Sequence, residues 1–272
     1  MSKKYKIGLA LSGGGLRGIA HIGVIQALRE YNIEADAIIG VSAGAIIGSL
    51  YAAEQTTDQM MDFVKRFGIL RSARFNFNFD GLSSLAFLKD HLSDWLGHDD
   101  FEQLEKDLFI GITNLNEGVL EVRDQGSLST MVMASSAVPL IFKPVEMDGR
   151  VYIDGGVINN MPVEPLRSNC DLLIGVNVMP SDNVDTRTLS NVVGIATRLF
   201  HLSIVSTSSI SVARCDVAIE PQGLGFYPIF KVLSKDYTGL VEIGYETAIK
   251  QMPFLLEKLE EMDAKFDNIP YL

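Results

Sequence analysis

The sequence predicts an α/β fold built on a mostly parallel sheet, and three observations carry that prediction. Residues 6–11 are a short apolar run ending in glycines, and residues 19–31 place Ile22, Ile25 and Leu28 on one helical face. Residues 37–41 and 43–53 then repeat the order of buried run and helix. Strands that are apolar throughout, each followed by a helix, belong to a parallel sheet covered on both faces.

The remaining elements follow in order. Residues 58–97 read as mostly helical, interrupted over 71–79 where Phe75, Phe77 and Phe79 alternate with polar residues, and this segment reads as a cap or lid. Sheet construction resumes with residues 108–114 and 119–123, paired around Asn116-Glu117-Gly118, and with a hairpin over 145–153 that turns at Asp148-Gly149. Residues 172–178 form another continuous apolar run. Residues 188–206 read as a long helix, 217–220 as a last short strand, and 240–266 as a closing helix broken near Pro253. No repeat or linker divides the chain, and 272 residues fit a single domain over 1–272.

Composition narrows the function. Hydrophobic residues at 47% and charged residues at 21% are ordinary for a globular protein, so disorder is not expected. A net charge of −11 excludes a protein that holds nucleic acid through many phosphate contacts, because those need clustered Lys and Arg. The same sign opposes long-range attraction to anionic lipid, so peripheral membrane contact should be local and apolar. Cys170 and Cys215 lack the spacing of a zinc or redox pair and read as buried small residues, which fits a reducing, cytoplasmic setting. Only residues 7–11 separate the N-terminal lysines from the glycine cluster, too short for a secretory signal. The uncharged stretch 37–53 falls short of the roughly 20 residues that span a bilayer.

Three motifs carry chemistry. Gly13-Gly14-Gly15-Leu16-Arg17-Gly18 lies between the first strand and the first helix, where bare glycine amides and a helix start make an anion site. The spacing Gly13, Gly15, Gly18 also matches a dinucleotide fingerprint, but Asp36 precedes the second strand instead of ending it. Gly40-Val41-Ser42-Ala43-Gly44 is a GxSxG sequence where a buried strand meets a helix, the context of a nucleophile elbow. Ser42 as a plain helix cap is the simpler alternative. Asp154-Gly155-Gly156 follows the strand that ends at Ile153, where an aspartate could equally make a turn. Of His21, His91, His98 and His201 only His201 follows Asp154, inside an apolar helical run, so an ordinary Ser-Asp-His order is the weaker reading. No histidine has the spacing of a catalytic metal site.

Together, the glycine loop with its arginine, GxSxG about one helix later, and Asp-Gly-Gly after a hairpin resemble the patatin-like phospholipase family. The resemblance is strongest over residues 7–53 and 135–178, including Ser136-Ala137-Val138-Pro139. It implies a three-layer α/β/α sandwich and a Ser/Asp dyad that cleaves fatty acyl esters of phospholipids, lysophospholipids or neutral lipids through an acyl-enzyme. Ser42 matches the nucleophile and Asp154 the general base. The amides of Gly13, Gly14 and Gly15 match the oxyanion hole, and Arg17 matches a residue that holds the loop or a lipid phosphate. Gly40, Gly44, Gly155 and Gly156 shape the two turns. No cofactor or metal is implied, the expected partner is a lipid acyl ester, and oligomeric state is left open. The competing expectation is a regulatory or binding protein that keeps the hydrolase fold with little turnover.

Overall fold

The computed structural model describes residues 4–74, 84–179, 184, 186–227 and 237–267. Among these, eight strands form one mixed sheet. They are β1 (Tyr5–Leu11), β2 (Ala37–Gly40), β3 (Asp107–Asn114), β4 (Val119–Arg123), β5 (Val145–Met147), β6 (Arg150–Asp154), β7 (Cys170–Val176) and β8 (Val217–Ile219). The order across the sheet is β5-β6-β3-β2-β1-β7-β8, with β4 also on β3. Pairs β1–β2, β1–β7, β2–β3 and β7–β8 are parallel, and pairs involving β4, β5 and β6 are antiparallel.

Side chains that alternate along the strands feed two cores. Leu9 and Leu11, Ile38, Leu108 and Ile110, and Ile174 and Val176 face the larger one. Ala10, Ala37, Ile39 and Leu173 face a smaller one with Met161, Val163 and Leu166. The larger core is closed by helices α1 (Ala20–Glu30), α2 (Ala43–Ala52), α3 (Thr57–Arg74), α4 (Ala86–Leu96), α5 (Leu128–Ser135) and α8 (Thr238–Asp267). The other face is covered by α6 (Glu164–Arg167) and the end of α7 (Val192–Val212). This is the expected three-layer sandwich.

Several boundaries differ from the sequence reading for local reasons. The long helix begins at Val192, because the Asn191 side chain caps it by accepting the Gly194 N–H at 2.9 Å. The closing helix α8 runs unbroken through Pro253. A proline inside a helix costs about 3 kcal/mol or more. Here Leu240, Ala248, Met252, Leu255 and Met262 are buried along its length and outweigh that cost. Gly23 and Gly244 let α1 and α8 touch backbone to backbone, since a Cβ at either would fall on the Val241 or Ala20 carbonyl oxygen. The short helix α5 has no counterpart in the sequence reading; Ser127 starts it by accepting the Thr130 N–H.

In the segment expected to be a cap, α3 and α4 bury Met60, Phe63, Leu88 and Leu92 in the main core, while Phe75, Phe77 and Phe79 lie outside the described residues. No helix among the described residues is long and apolar enough to cross a membrane.

Candidate active site

The site is made where two strands meet end to end along β3. Strand β2 runs parallel to β3 and leaves it at the Gly40–Ile110 pair. Strand β6 runs the opposite way and ends at the Ile112–Asp154 pair. Because β4 occupies one edge of β3 over the same residues, β6 must use the edge that β2 has just vacated. Only Gly111 separates the two strand ends, so Ser42, two residues past β2, and Asp154, the last residue of β6, converge.

Ser42 sits in the elbow the GxSxG pattern predicts. Its φ of 53° and ψ of −119° are rare for a residue with a side chain, a strain of about 1–3 kcal/mol. Close packing maintains it. A Cβ at Gly40 would fall on the Gly44 carbonyl, and one at Gly44 on the Leu11 carbonyl, so α2 starts hard against the ends of β1 and β2. Ser135 completes the brace, accepting the Ser42 N–H at 2.8 Å and donating its hydroxyl to the Gly111 carbonyl at 2.7 Å.

Asp154 is 2% exposed. Its carboxylate accepts the Gly156 N–H at 2.8 Å. Burial pushes its pKa up to about 7; the Gly156 amide and the nearby Ser42 hydroxyl oppose the shift without cancelling it. The Thr113 hydroxyl donates to the Asp154 carbonyl at 3.0 Å, fixing the strand end. Among the described residues no histidine partners the Asp154 carboxylate: His21 bonds the Ser12 carbonyl, His91 the Phe63 carbonyl, and His201 lies beside Arg198 on α7.

The glycine loop closes the third side. Gly13 donates its N–H to the Asn160 carbonyl at 3.2 Å, while the Asn160 side-chain amide donates to the Gly13 carbonyl at 3.1 Å. That exchange engages one of the three amides expected to face an oxyanion and leaves those of Gly14 and Gly15. Nothing in the sequence singles out Asn160 or Ser135 for these roles. Arg17 is buried, and its guanidinium donates to the carbonyls of Tyr227 and Gly225, so it ties the loop to the Leu224–Phe226 turn. Beside Ser42 opens an almost wholly apolar cavity of about 120 Å³, lined by Ile46, Ile47, Phe63, Leu88, Val138 and Phe142 among others.

The family model described as patatin-like phospholipase matches residues 9–167, a span that includes the glycine loop, Ser42, Ser135, Asp154 and Asn160. The chain belongs to the patatin-like phospholipase family. An NTE family protein of Mycobacterium bovis is 33% identical over 215 residues, covering 74% of this chain and 59% of that protein. The lysophospholipase NTE1 of Cryptococcus neoformans is 34% identical over 180 residues, covering 60% of this chain and 10% of that protein. This chain therefore spans about three-fifths of the mycobacterial relative and a small part of the fungal one. The crystal structure of VipD from Legionella pneumophila superposes with a TM-score of 0.51 at 18% identity, covering 91% of this chain and 66% of that one, a likeness of fold. The family model's match ends at residue 167, before β7, β8, α7 and α8.

Proposed function

We propose that the protein is a serine acyl hydrolase in which Ser42 attacks a fatty acyl ester and Asp154 takes its proton. One observation supports the reading: Ser42, in a strained conformation, stands beside a buried carboxylate whose pKa is raised to about 7, and an apolar cavity opens next to it. A carboxylate of ordinary pKa is a weak base in neutral water, and desolvation brings this one to the working range of a general base.

The reaction proceeds in two displacements. Ser42 Oγ bonds to the ester carbonyl carbon as its proton passes to Asp154, and the oxyanion is held by the Gly14 and Gly15 amides. Collapse expels the alcohol, which takes the proton, and leaves an acyl-enzyme. Water then attacks with Asp154 again as base, releasing the fatty acid and restoring Ser42. Each oxyanion amide is worth about 2.7–4 kcal/mol in enzymes where one has been removed. The apolar cavity suits a hydrocarbon chain. Phospholipids, lysophospholipids and neutral acyl lipids share that feature, and the name of the fungal relatives puts lysophospholipid first on the panel.

The deciding experiment is fluorophosphonate labelling with peptide mass spectrometry on wild type, Ser42→Ala and Asp154→Asn, beside a panel of lipid esters. Label on Ser42 should fall sharply in Asp154→Asn, with turnover reduced about 10²–10⁴-fold. Undiminished turnover in a folded Asp154→Asn variant would remove the dyad. Absence of label on folded wild type would favour a regulatory protein of the same fold.

A further inference from the structure

The glycine loop is a run of peptide planes, each held by a different partner. The Ser12 carbonyl accepts from His21 Nε2 at 2.9 Å, and the Gly13 N–H of the same plane donates to the Asn160 carbonyl at 3.2 Å. In the next plane the Gly13 carbonyl accepts from the Asn160 side-chain amide at 3.1 Å, and in the one after it the Gly14 carbonyl accepts the Arg17 N–H at 3.1 Å. These peptides are trans, and across a trans peptide the carbonyl and the N–H point opposite ways. With its carbonyl tied to Asn160, the 13–14 peptide must turn the Gly14 N–H away from Asn160. Among the described residues neither the Gly14 nor the Gly15 N–H has a partner.

Two glycines make the place for Asn160, which is buried. A Cβ at Gly13 would collide with Asn160 Oδ1 and come within 3.2 Å of the Ser42 Cβ, and one at Gly156 would stand 2.8 Å from that same Oδ1 and 3.0 Å from Asp154 Oδ1. The side chain is therefore wedged between the glycine loop and the turn that follows Asp154. Its amide also donates to Ser208 Oγ, buried on α7, at 3.4 Å. Asparagine meets these demands at once, with two N–H donors for two oxygens and a bare oxygen where the two glycine backbones close in. A leucine could not donate, and a carboxylate would set oxygen against the Gly13 carbonyl.

We propose that Asn160 is the positioning residue of the oxyanion site: by holding the Gly13 carbonyl it aims the Gly14 N–H at the place where the ester oxygen gains charge. A donor fixed in advance is worth most there, because it needs no reorganisation as the charge forms. The proposal rests on the serine acyl hydrolase reading, and one arm of its test is independent of turnover.

Asn160→Ala keeps the backbone carbonyl that anchors the Gly13 N–H and releases the Gly13 carbonyl. On a soluble short-chain ester its kcat should fall at least about tenfold, with KM kept within about twofold and the pH midpoint still near 7. A trifluoromethyl ketone reports on the oxyanion directly: Ser42 Oγ adds to the ketone carbon, its proton passes to Asp154, and the ketone oxygen becomes the oxyanion. Affinity for it should fall by the same factor as kcat/KM. Crystal structures of the two unliganded proteins should show the 13–14 peptide turned in Asn160→Ala and not in wild type. If the variant misfolds, the wild-type adduct decides, with its oxygen expected about 2.7–3.1 Å from the Gly14 nitrogen. An adduct oxygen that avoids Gly14, unchanged kcat in a folded variant, or an unmoved 13–14 peptide would each overturn the proposal. So would a displaced pH midpoint with ketone affinity kept, since Asn160 would then act on Asp154. Wild type with neither turnover nor adduct would count against the hydrolase reading, and the peptide orientation in the two unliganded structures would still decide whether Asn160 aims Gly14.

Discussion

Helices α2 and α7 bracket the Ser42–Asp154 pair on opposite plans. In α2 every residue except Ile46 is buried, and the helix begins with Gly44 pressed on the Leu11 carbonyl. In α7 the buried residues among those described are His201, Ile204, Ser208 and Ser211, whereas Val192, Ile195, Leu199, Leu202 and Ile210 are exposed. Ser42 is thus fixed by close-packed backbone inside the core, while the turn after Asp154 leans on a helix with one side exposed. Strain at Ser42 needs rigid support, because a residue in a rare conformation persists only where its neighbours over-determine it.

The largest effect is expected at the rigid end. Gly44→Ala would drive a methyl group into the Leu11 carbonyl, and the protein should lose about 3 kcal/mol of stability or more, read as a fall in denaturation midpoint. A neutral outcome would mean that α2 can shift and that the elbow is not held by packing.

A second effect is smaller and sharpens the contrast in chemistry. The proposed general base works deprotonated, so kcat/KM should rise with pH and level off above about 7, falling about tenfold per unit below that value. Stability has the opposite dependence. Asp154 binds its proton more tightly folded than unfolded, so wild type loses stability as pH rises from about 4 to about 7. Asp154→Asn should flatten that slope in a melting series, and an unchanged slope would show that the carboxylate is not desolvated.

The mildest expectation concerns the link between the halves. Ser135→Ala leaves the buried Ser42 N–H without a partner, at a cost of about 1–3 kcal/mol. Turnover should fall with the elbow loosened while the pH midpoint stays near 7, because Asp154 is untouched. A displaced midpoint would mean that Ser135 acts on the base as well.

Much of this site was legible because its rules are local. A glycine-flanked serine at a strand-to-helix join is readable from the run Gly40–Gly44, and Asp154 from a hairpin and two glycines. The unread parts are contacts between distant residues. Ser135 reaches Ser42 across 93 positions and Asn160 reaches Gly13 across 147, and nothing near either in sequence announces the partner. Pro253 misled for the same reason: its local effect breaks a helix, whereas the buried face of α8, packed against α1, holds it whole.

The sequence by itself determined the α/β order, the elbow and the glycine loop, all set by backbone sterics and short-range spacing. Tertiary structure alone decided that β2 and β6 share one edge of β3, which brings Ser42 and Asp154 together. It also decided that Asp154 is buried enough for its pKa to rise to about 7, that Gly13 is engaged by Asn160, and that Val192, Ile195, Leu199 and Leu202 of α7 are exposed. Burial and charge environment are properties of packed neighbours, and no run of residues along one chain segment carries them.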